Sequence, residues 1–395
     1  MTTREWEVFV STAPGREAIT SRELERLGLP ATRVETGGLG LRASDEGLQR
    51  LNRQLRTASR VLVRLAAFRA SSFGELERKA KEIPWERVLP GAPPQGVGRP
   101  AFEVTSRKSR LYHTGAIAER LERSLGAWAD GRPSVPEMKE VPPPRFVVRV
   151  LRDRLVLSAD ASGDPLHRRG YRQAVAKAPL RENVAAALIL AAGWDGRSPL
   201  FDPFCGSGTL IIEGALIAGR IPPGAGRRYA FERWPGFALV AGKDRPAPPL
   251  PAEKPVPVRP HLLGADRDAG AIRAATANAE RAGVAGAVSW VTAPLSRAPF
   301  PVLEALRTGA GEDAGGPRGL LVTNPPWGHR VGDNRRLKNL YARLGALLSE
   351  RWGGGRAALL CPDPALVGQL GFETRTLFRT RLGGIPVEAL ALDVD

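Results

Sequence analysis

The pattern of apolar and polar positions changes character near residue 180. Before it, short alternating runs typical of strands are interleaved with amphipathic helical stretches. The first seventy residues predict strands at 6–12, 31–36, 39–42 and 60–68 and helices at 15–27 and 45–57. The resulting order β-α-β-β-α-β is typical of a ferredoxin-like α+β module, which we assign to residues 1–70.

A second small α+β module is predicted over residues 71–160. Its helices are predicted at 73–82 and 113–126, and its strands at 101–106, 145–150 and 154–159. Residues 161–180 follow, with Gly163, Pro165 and the basic run HRRGYR (167–172). Such a composition is typical of a linker.

Residues 181–395 alternate between strands and helices, which predicts a parallel, doubly wound sheet. Strands are expected at 199–203, 261–265, 287–291, 319–323 and 356–360, and helices at 184–194, 208–219, 268–282 and 336–351. The tail predicts an antiparallel hairpin around Gly383-Gly384. Ten prolines within 221–260 exclude helix and central strand there. This stretch is predicted to be a loop inserted in the domain, a candidate wall over the site.

Composition adds a strong basic excess to this picture. The chain holds 58 Lys and Arg against 41 Asp and Glu, a formal net charge of +17, and both halves share the excess. A folded basic protein points to a polyanionic partner, with nucleic acid as the first expectation. A genome that favours arginine would explain the scarcity of lysine but not the net charge.

Other features of the composition argue against several classes of protein. Two cysteines cannot build a disulfide framework and fit a reducing compartment. The sequence has no apolar leader and no run of 18 apolar residues, so we expect a cytoplasmic protein outside the membrane. The four histidines lie far apart without zinc-ligand spacing, so no metal is expected, and the oligomeric state stays open.

The strongest motif is DPFCGSGT, residues 202–209, which follows a predicted strand and opens a helix. We call this segment the glycine turn. Ligands of doubly wound sheets bind beyond the carboxyl ends of the strands, and Gly206 and Gly208 leave room for a ligand on the backbone. The segment lacks the last glycine of a dinucleotide fingerprint and the lysine of a P-loop. Asp202 would repel a pyrophosphate but suits a cationic ammonium group. The alternative interpretation of residues 202–209 is an ordinary tight turn between a strand and a helix, without a ligand.

A second motif, GADRD, ends the next predicted strand. Asp266 stands where an acid binds ribose hydroxyls in doubly wound folds. Asp268 is predicted instead to cap the following helix.

The third motif is Asn324-Pro325-Pro326-Trp327, which follows the strand 319–323 and which we call the NPPW motif. The asparagine side-chain oxygen and a proline carbonyl can accept both hydrogens of an exocyclic NH₂ group. Such an amine is a poor nucleophile, and acceptors on both N–H groups would stabilise the positive charge that develops during attack. Trp327 offers a face on which a base can stack.

Together these motifs resemble class I S-adenosylmethionine-dependent methyltransferases that modify exocyclic amines. The stretches 109–121, 163–189 and 227–237 extend the resemblance to the THUMP-domain RNA guanine-N2 methyltransferases, above all the bacterial 23S rRNA branch. The resemblance implies a Rossmann-like α/β methyltransferase domain over 181–395, with a parallel sheet and a C-terminal antiparallel hairpin. Ferredoxin-like and THUMP α+β modules would precede it.

The resemblance also implies roles for individual residues. The NPPW residues would be catalytic, presenting the target base. Cofactor contacts are implied for Asp202, Phe204, Cys205, Gly206, Ser207, Gly208, Thr209, Asp266 and Arg267. Cys205 is expected to be a packed residue rather than a nucleophile.

Three features depart from the family pattern. Trp327 stands where tyrosine is usual, and Thr292 follows the third strand, where an acid would bind the adenine amino group. Some relatives carry a further methyltransferase unit, and because this sequence ends at Asp395 we expect one activity.

Basic and aromatic residues supply candidate RNA contacts in two places. One group is Arg107, Lys108, Arg110, Tyr112 and His113 in the second module, and the other is Arg168, Arg169 and Arg172 in the linker. Arginine offers bidentate contacts to phosphate. The linker group is favoured because it lies at a domain junction, and solvated surface charge is the alternative.

The expected function is methyl transfer from S-adenosylmethionine to the N2 amine of a guanine in structured RNA, with 23S rRNA as the first candidate. Transfer RNA is the nearest rival substrate. NPPW-type motifs also serve adenine-N6 and glutamine-amide methylation. A third hypothesis is a non-catalytic RNA-binding assembly factor with a vestigial cofactor site.

Overall fold

A computed structural model describes residues 4–92, 100–133, 144–173, 180–237, 261–299, 319–328 and 334–394. The helices in these ranges are α1 (Glu17–Arg26), α2 (Asp45–Gln54), α3 (Phe73–Ala80), α4 (Thr114–Ala129), α5 (Glu182–Ala191), α6 (Thr209–Ala218), α7 (Ala269–Arg281), α8 (Asn334–Arg351) and α9 (Pro364–Val367). The strands are β1 (Glu5–Ser11), β2 (Arg33–Glu35), β3 (Gly38–Ser44), β4 (Arg60–Arg69), β5 (Ala101–Arg107), β6 (Arg145–Leu151), β7 (Arg154–Asp160), β8 (Leu200–Asp202), β9 (Leu262–Asp266), β10 (Val288–Thr292), β11 (Leu320–Thr323), β12 (Arg356–Cys361), β13 (Arg375–Leu382) and β14 (Ile385–Asp393).

The described chain divides into two compact units. The first unit is built around a seven-stranded sheet of order β2-β3-β1-β4-β7-β6-β5. Its first four strands and helices α1 and α2 confirm the predicted ferredoxin-like order. Strand β7 pairs antiparallel with β4, so the second predicted module continues the same sheet.

Alternation along each strand explains why this sheet forms. In β1 the side chains of Trp6, Val8 and Val10 are fully buried, whereas their neighbours in the strand are partly or fully exposed. Strand β6 repeats the pattern, and serine side chains cap α2 and α3. The alternation of apolar and polar residues therefore determines which face of each strand is buried, and the N-capping serines determine where α2 and α3 begin.

Part of the proline-rich insert belongs to the core of the first unit. Described residues from Gly226 to Phe237 group with it, and Trp234 packs 5.7 Å from Trp6 between ring centroids. Phe231 packs 5.1 Å from Phe237. The insert was predicted as a loop of the catalytic domain that walls the site, and this segment instead buries its aromatic rings in the first unit. Residues 238–260 lie outside the described chain.

The second unit contains the predicted doubly wound sheet. Its order is β10-β9-β8-β11-β12-β14-β13, with parallel pairing from β10 through β12. The hairpin β13–β14 adds antiparallel to β12 and forms one edge. The prediction of a Rossmann-like sheet with a C-terminal antiparallel hairpin is confirmed.

Both faces of this sheet are buried, as a parallel sheet requires. Leu200 and Val322 point to one apolar cluster, which includes α5 and α6. Phe201 and Leu321 point to another, which includes α8. The sheet is therefore held between two helical layers.

Within the described ranges, no helix combines the length and the apolar character needed to cross a membrane.

The insert packing predicts a large stability effect at Trp234, which is 4% exposed. Trp234→Ala should lower the free energy of unfolding of the first unit by about 3–5 kcal/mol, because it leaves a cavity against Trp6. Hydrogen exchange of β1 peptides in increasing urea measures this loss in the full chain. Tyr112→Ala removes an aromatic side chain from a residue that is 68% exposed, and this control should change stability by less than about 0.5 kcal/mol. Equal effects of the two substitutions would contradict the packing described.

Candidate active site

The order of the second sheet reverses next to its central strand. The chain runs from β8 to β9 and β10 on one side, and then returns to place β11 on the other side of β8. In open α/β sheets such a switch point leaves a crevice beyond the carboxyl ends of the strands, where ligands bind. The glycine turn follows β8 and the NPPW motif follows β11, so the two segments flank this crevice.

A hydrogen bond joins the ends of the two central strands. The Thr323 hydroxyl donates to the Asp202 carboxylate at 2.7 Å, and the Phe204 N–H donates to the same oxygen at 3.0 Å. Burial is the main cause that raises the pKa of Asp202 to about 7; the charge of Asp266 acts in the same direction, and the hydrogen bonds from Thr323 and Phe204 act against it. The free protein thus holds an acid that titrates near neutrality and that a cation would favour in its charged form.

The glycine turn has a backbone that only glycine adopts readily. Gly206 and Gly208 have φ values of +52° and +82°. A Cβ on Gly208 would lie 2.6 Å from the Trp290 ring, so packing also requires glycine there. A Cβ on Gly206 would meet no atom of the described residues within 4 Å. Gly206 therefore presents bare backbone to open space, which a bound molecule can fill.

Asp266 fixes this turn from the neighbouring strand. One carboxylate oxygen accepts the Gly206 N–H at 3.0 Å, and the other accepts the Asp268 N–H at 2.9 Å. A carboxylate oxygen has a second lone pair, so Asp266 can still accept from a ligand hydroxyl. Asp268 accepts the Gly270 N–H at 2.7 Å, which confirms it as the cap of α7.

The NPPW motif carries an unsatisfied acceptor. The side-chain oxygen of Asn324 is buried and has no hydrogen-bond partner within the described part of the chain, and the same holds for the indole nitrogen of Trp327. A buried polar atom left unpaired costs about 1–3 kcal/mol. The Trp327 ring is partly buried against the apolar cluster on the α5 and α6 side, so only part of it is accessible. The arrangement suits a ligand that brings its own donor to Asn324.

The remaining predicted cofactor residues differ in exposure. Phe204 is half-buried and Arg267 is exposed, whereas the side chains of Cys205, Ser207 and Thr209 are buried. These three can meet a ligand only through their backbone. Burial, with the charges of Asp202 and Asp266, raises the pKa of the Cys205 thiol far above its ordinary value. The thiol is therefore an inert packed group.

All five residues of one predicted RNA-contact group are exposed, and we call the segment 107–113 that carries them the basic loop. Asp153 in the neighbouring turn accepts the Arg110 N–H at 2.7 Å, and Lys108 adopts a positive φ of 50°. Tyr112 packs its ring 4.2 Å from that of His113 between centroids and is largely exposed. The loop presents charge and an aromatic face together, as single-stranded RNA binding requires.

The linker group does not form a comparable surface. Arg169 is buried, with its side chain 2% exposed and its Nε 3.5 Å from Glu213. Arg172 pairs with Glu182 at 3.2 Å and donates to the Leu180 carbonyl at 2.8 Å. The burial of Arg169 and the ion pair of Arg172 disfavour RNA contact through these two side chains, because both face buried carboxylates, and their predicted role stays a prediction. Arg168 is exposed, and its role remains a prediction.

Two residues of the site were missed in the sequence. Thr323 ends an apolar strand with a hydroxyl, and this lone polar position directly before the NPPW motif was the available signal. Trp290 lies against Gly208 and Gly264. No local pattern distinguishes it from any other strand tryptophan, because the contact depends on which strands become neighbours.

Comparisons with known proteins agree with this geometry. Residues 169–374 match a family model described as RMKL-like, methyltransferase domain, and residues 7–62 match the RlmL ferredoxin-like domain. The ribosomal RNA large subunit methyltransferase K/L of Syntrophotalea carbinolica is 35% identical over 98% of this chain and 53% of its own length. The chain thus spans about half the length of that curated relative.

Two further similarities extend over whole chains. The Synechocystis protein slr0064, provisionally named an RNA methyltransferase, is 30% identical over 98% of this chain and 96% of its own length. The solved structure of SMU.472, a protein provisionally classed as a methyltransferase and complexed with SAH, superposes with a TM-score of 0.80. It is 27% identical and covers 100% of this chain and 99% of its own. From its sequence and its sheet, this chain belongs to the RMKL-like methyltransferase domain family.

Proposed function

We propose that this protein transfers a methyl group from S-adenosylmethionine to the exocyclic N2 amine of a guanine in ribosomal RNA. The observation that carries the proposal is the hydrogen bond from Thr323 to Asp202 across the switch point. It supports a donor site at the glycine turn next to an amine acceptor at Asn324, because Asp202 opens the turn and Thr323 directly precedes Asn324.

Three features of the chain fit the proposed cofactor. Gly206 offers open backbone, Asp202 is a buried acid suited to a cation, and Asp266 keeps lone pairs for a hydroxyl. When bound, S-adenosylmethionine supplies an electrophilic methyl group on a sulfonium. Thr292 ends β10 where the family has an acid, so adenine recognition there would rest on other groups.

The protein's own residues would activate and orient the amine. Asn324 would accept one N–H of the target amine at its unpaired side-chain oxygen, and a proline carbonyl of the motif would accept the other. Acceptors fixed before the reaction stabilise the charge that develops on nitrogen without reorganising. The cost of burying an unpaired oxygen in the free protein is recovered when the amine arrives.

The substrate class rests on charge and on the named relatives. The basic loop joins arginine, lysine and an exposed tyrosine on one surface, and the first relative is named for the large-subunit ribosomal RNA. That name favours ribosomal RNA over transfer RNA. An RNA-binding module of the THUMP type remains part of the proposal, as does action in the cytoplasm, where ribosomes are assembled. The intact Asp202, Gly206 and Asn324 disfavour a non-catalytic assembly factor.

Nucleoside mass spectrometry tests the proposal. RNA of an organism lacking a homologue is incubated with the protein and labelled S-adenosylmethionine, and the digested nucleosides are identified. We expect labelled N2-methylguanosine. Asn324→Ala should slow its formation by about 10²–10³-fold, because one preorganised acceptor is lost.

The control is Asn324→Asp, which keeps a side-chain oxygen acceptor and should retain more activity than Asn324→Ala. Filter binding of RNA should be similar for both variants. Labelled N6-methyladenosine alone would overturn the guanine assignment, and an undiminished rate in Asn324→Ala would overturn the role of Asn324.

The pKa of Asp202 predicts a pH dependence of cofactor binding. Because burial raises this pKa to about 7, the neutral acid predominates below pH 7 and stabilises the free protein. That stability is present in full below the ordinary pKa near 4 and is lost as the pH rises through 7. Binding of a cationic ligand requires the ionised acid, so affinity should fall up to about tenfold per pH unit below 7.

Titration calorimetry with S-adenosylhomocysteine between pH 5.5 and 7.5 measures this dependence. Burial also raises the pKa of Glu182 to about 7, so Asp202→Asn is the necessary comparison. At pH 7.5 the Asp202→Asn variant should bind S-adenosylhomocysteine more weakly than the wild type does, and its affinity should be nearly constant with pH. The same slope in the wild type and in Asp202→Asn would show that another group is responsible.

A further inference from the structure

We infer that Asn278 is a positioning residue that fixes the glycine turn, and that Arg281 holds its amide in the required orientation. Asn278 lies on α7 and is fully buried, and its side-chain N–H donates to the Ser207 carbonyl at 3.0 Å. Its side-chain oxygen accepts from the Arg281 guanidinium. This inference rests on the proposed function, since it assigns the turn to cofactor binding.

The hydrogen bond from Asn278 reaches the part of the glycine turn whose backbone has the most conformational freedom. The Ser207 carbonyl lies between two glycines of positive φ, Gly206 and Gly208, which have the greatest conformational freedom of any residue. The Asp266 carboxylate accepts the Gly206 N–H, and the backbone carbonyl of Cys205 accepts the Gly208 N–H at 2.8 Å. The Asn278 amide adds a hydrogen bond to the carbonyl between them. Backbone donors and acceptors of the turn are therefore fixed from β9 and from α7.

The two ends of the Asn278 amide are not interchangeable. Only its NH₂ can donate to the Ser207 carbonyl, and only its oxygen can accept from Arg281. The Arg281 Nε in turn donates to the Tyr171 carbonyl at 2.7 Å, which anchors the guanidinium to the linker. The arginine thus selects the amide orientation that the turn needs.

The same linker also reaches the helix that starts at the turn. Tyr171 is buried, and its hydroxyl donates to Glu213 on α6 at 3.2 Å. Arg169 faces the same carboxylate. The run HRRGYR therefore ties α6 and α7 together around the glycine turn. This explains how Arg169 and Arg172 are basic in sequence yet pair with carboxylates inside the protein.

Two substitutions separate positioning from packing. Asn278→Asp is isosteric and keeps the acceptor for Arg281, but it sets a carboxylate oxygen against the Ser207 carbonyl oxygen. Arg281→Met removes the orienting donor from an exposed position, so it tests the inference even if Asn278→Asp fails to fold. Arg273→Met, at an exposed position on the same helix, is the matched control.

The experiment measures hydrogen exchange of peptides covering residues 203–210 in the free full-length protein, and S-adenosylhomocysteine affinity by calorimetry. We expect Asn278→Asp to speed exchange in this peptide and to weaken binding by about tenfold or more. Arg281→Met should weaken binding by about three- to tenfold, and Arg273→Met by less than twofold. Exchange in β12 and β14 should be unchanged in the two arginine variants.

Arg281→Met behaving like Arg273→Met in both measurements would overturn the inference. Faster exchange in β12 and β14 as well as the turn, in Arg281→Met, would also overturn it, because the contact would then support the whole unit. If the wild-type protein binds no S-adenosylhomocysteine, the proposed function fails, and the exchange of the free turn still tests whether Asn278 and Arg281 fix it.

Discussion

The hydrogen bond between Thr323 and Asp202 joins the two segments on which the rest of the site depends. A parallel sheet whose order reverses leaves a crevice beside its central strand, but the fold alone does not fix the distance across it. The hydroxyl at the end of β11 and the carboxylate at the end of β8 fix this distance. Their hydrogen bond lies inside the protein, where water does not compete for it. Asn324 follows Thr323 directly, and Asp202 is the first residue of the glycine turn, so this one contact joins the two segments.

Several buried polar groups of the second unit lie in the glycine turn or on the helices α6 and α7 that follow β8 and β9. Asp202, Glu213 and Asn278 are nearly or fully inaccessible to solvent. Burying such groups costs free energy that hydrogen bonds and ion pairs only partly offset. Apolar packing alone would give a more adaptable turn. The polar network instead gives the turn defined neighbours on β9, β11 and α7, which is what preorganisation of a binding site requires.

Much of the fold follows from local patterns in the sequence. Period-two alternation predicts β1 and β6, strand-helix alternation predicts the doubly wound sheet, and the glycine pair at 383–384 predicts the terminal hairpin. The three motifs also lie at strand ends, as predicted, because parallel strands bring their carboxyl ends to one edge. These features depend on neighbours in sequence or on general rules of sheet construction.

The features that were missed depend on burial and on distant contacts. The sequence shows the positive charge of the HRRGYR arginines. The carboxylate of Glu213, which pairs with the buried Arg169, lies more than forty residues further along the sequence. Prolines dominate the insert in the sequence, whereas the rings of Phe231 and Trp234 determine where that segment packs. Thr323 and Asn278 are single polar residues in apolar elements, and their partners become visible only when the strands and helices are assembled.

The central claim is that a methyl donor lies on the glycine turn and faces the side-chain oxygen of Asn324. A crystal structure of the full chain with S-adenosylhomocysteine tests it most directly. We expect density for the ligand against the bare backbone of Gly206, with its hydroxyls at Asp266 and its sulfur directed toward the NPPW motif. Ligand bound elsewhere, or a glycine turn and NPPW motif that face away from each other around an empty crevice, would contradict it.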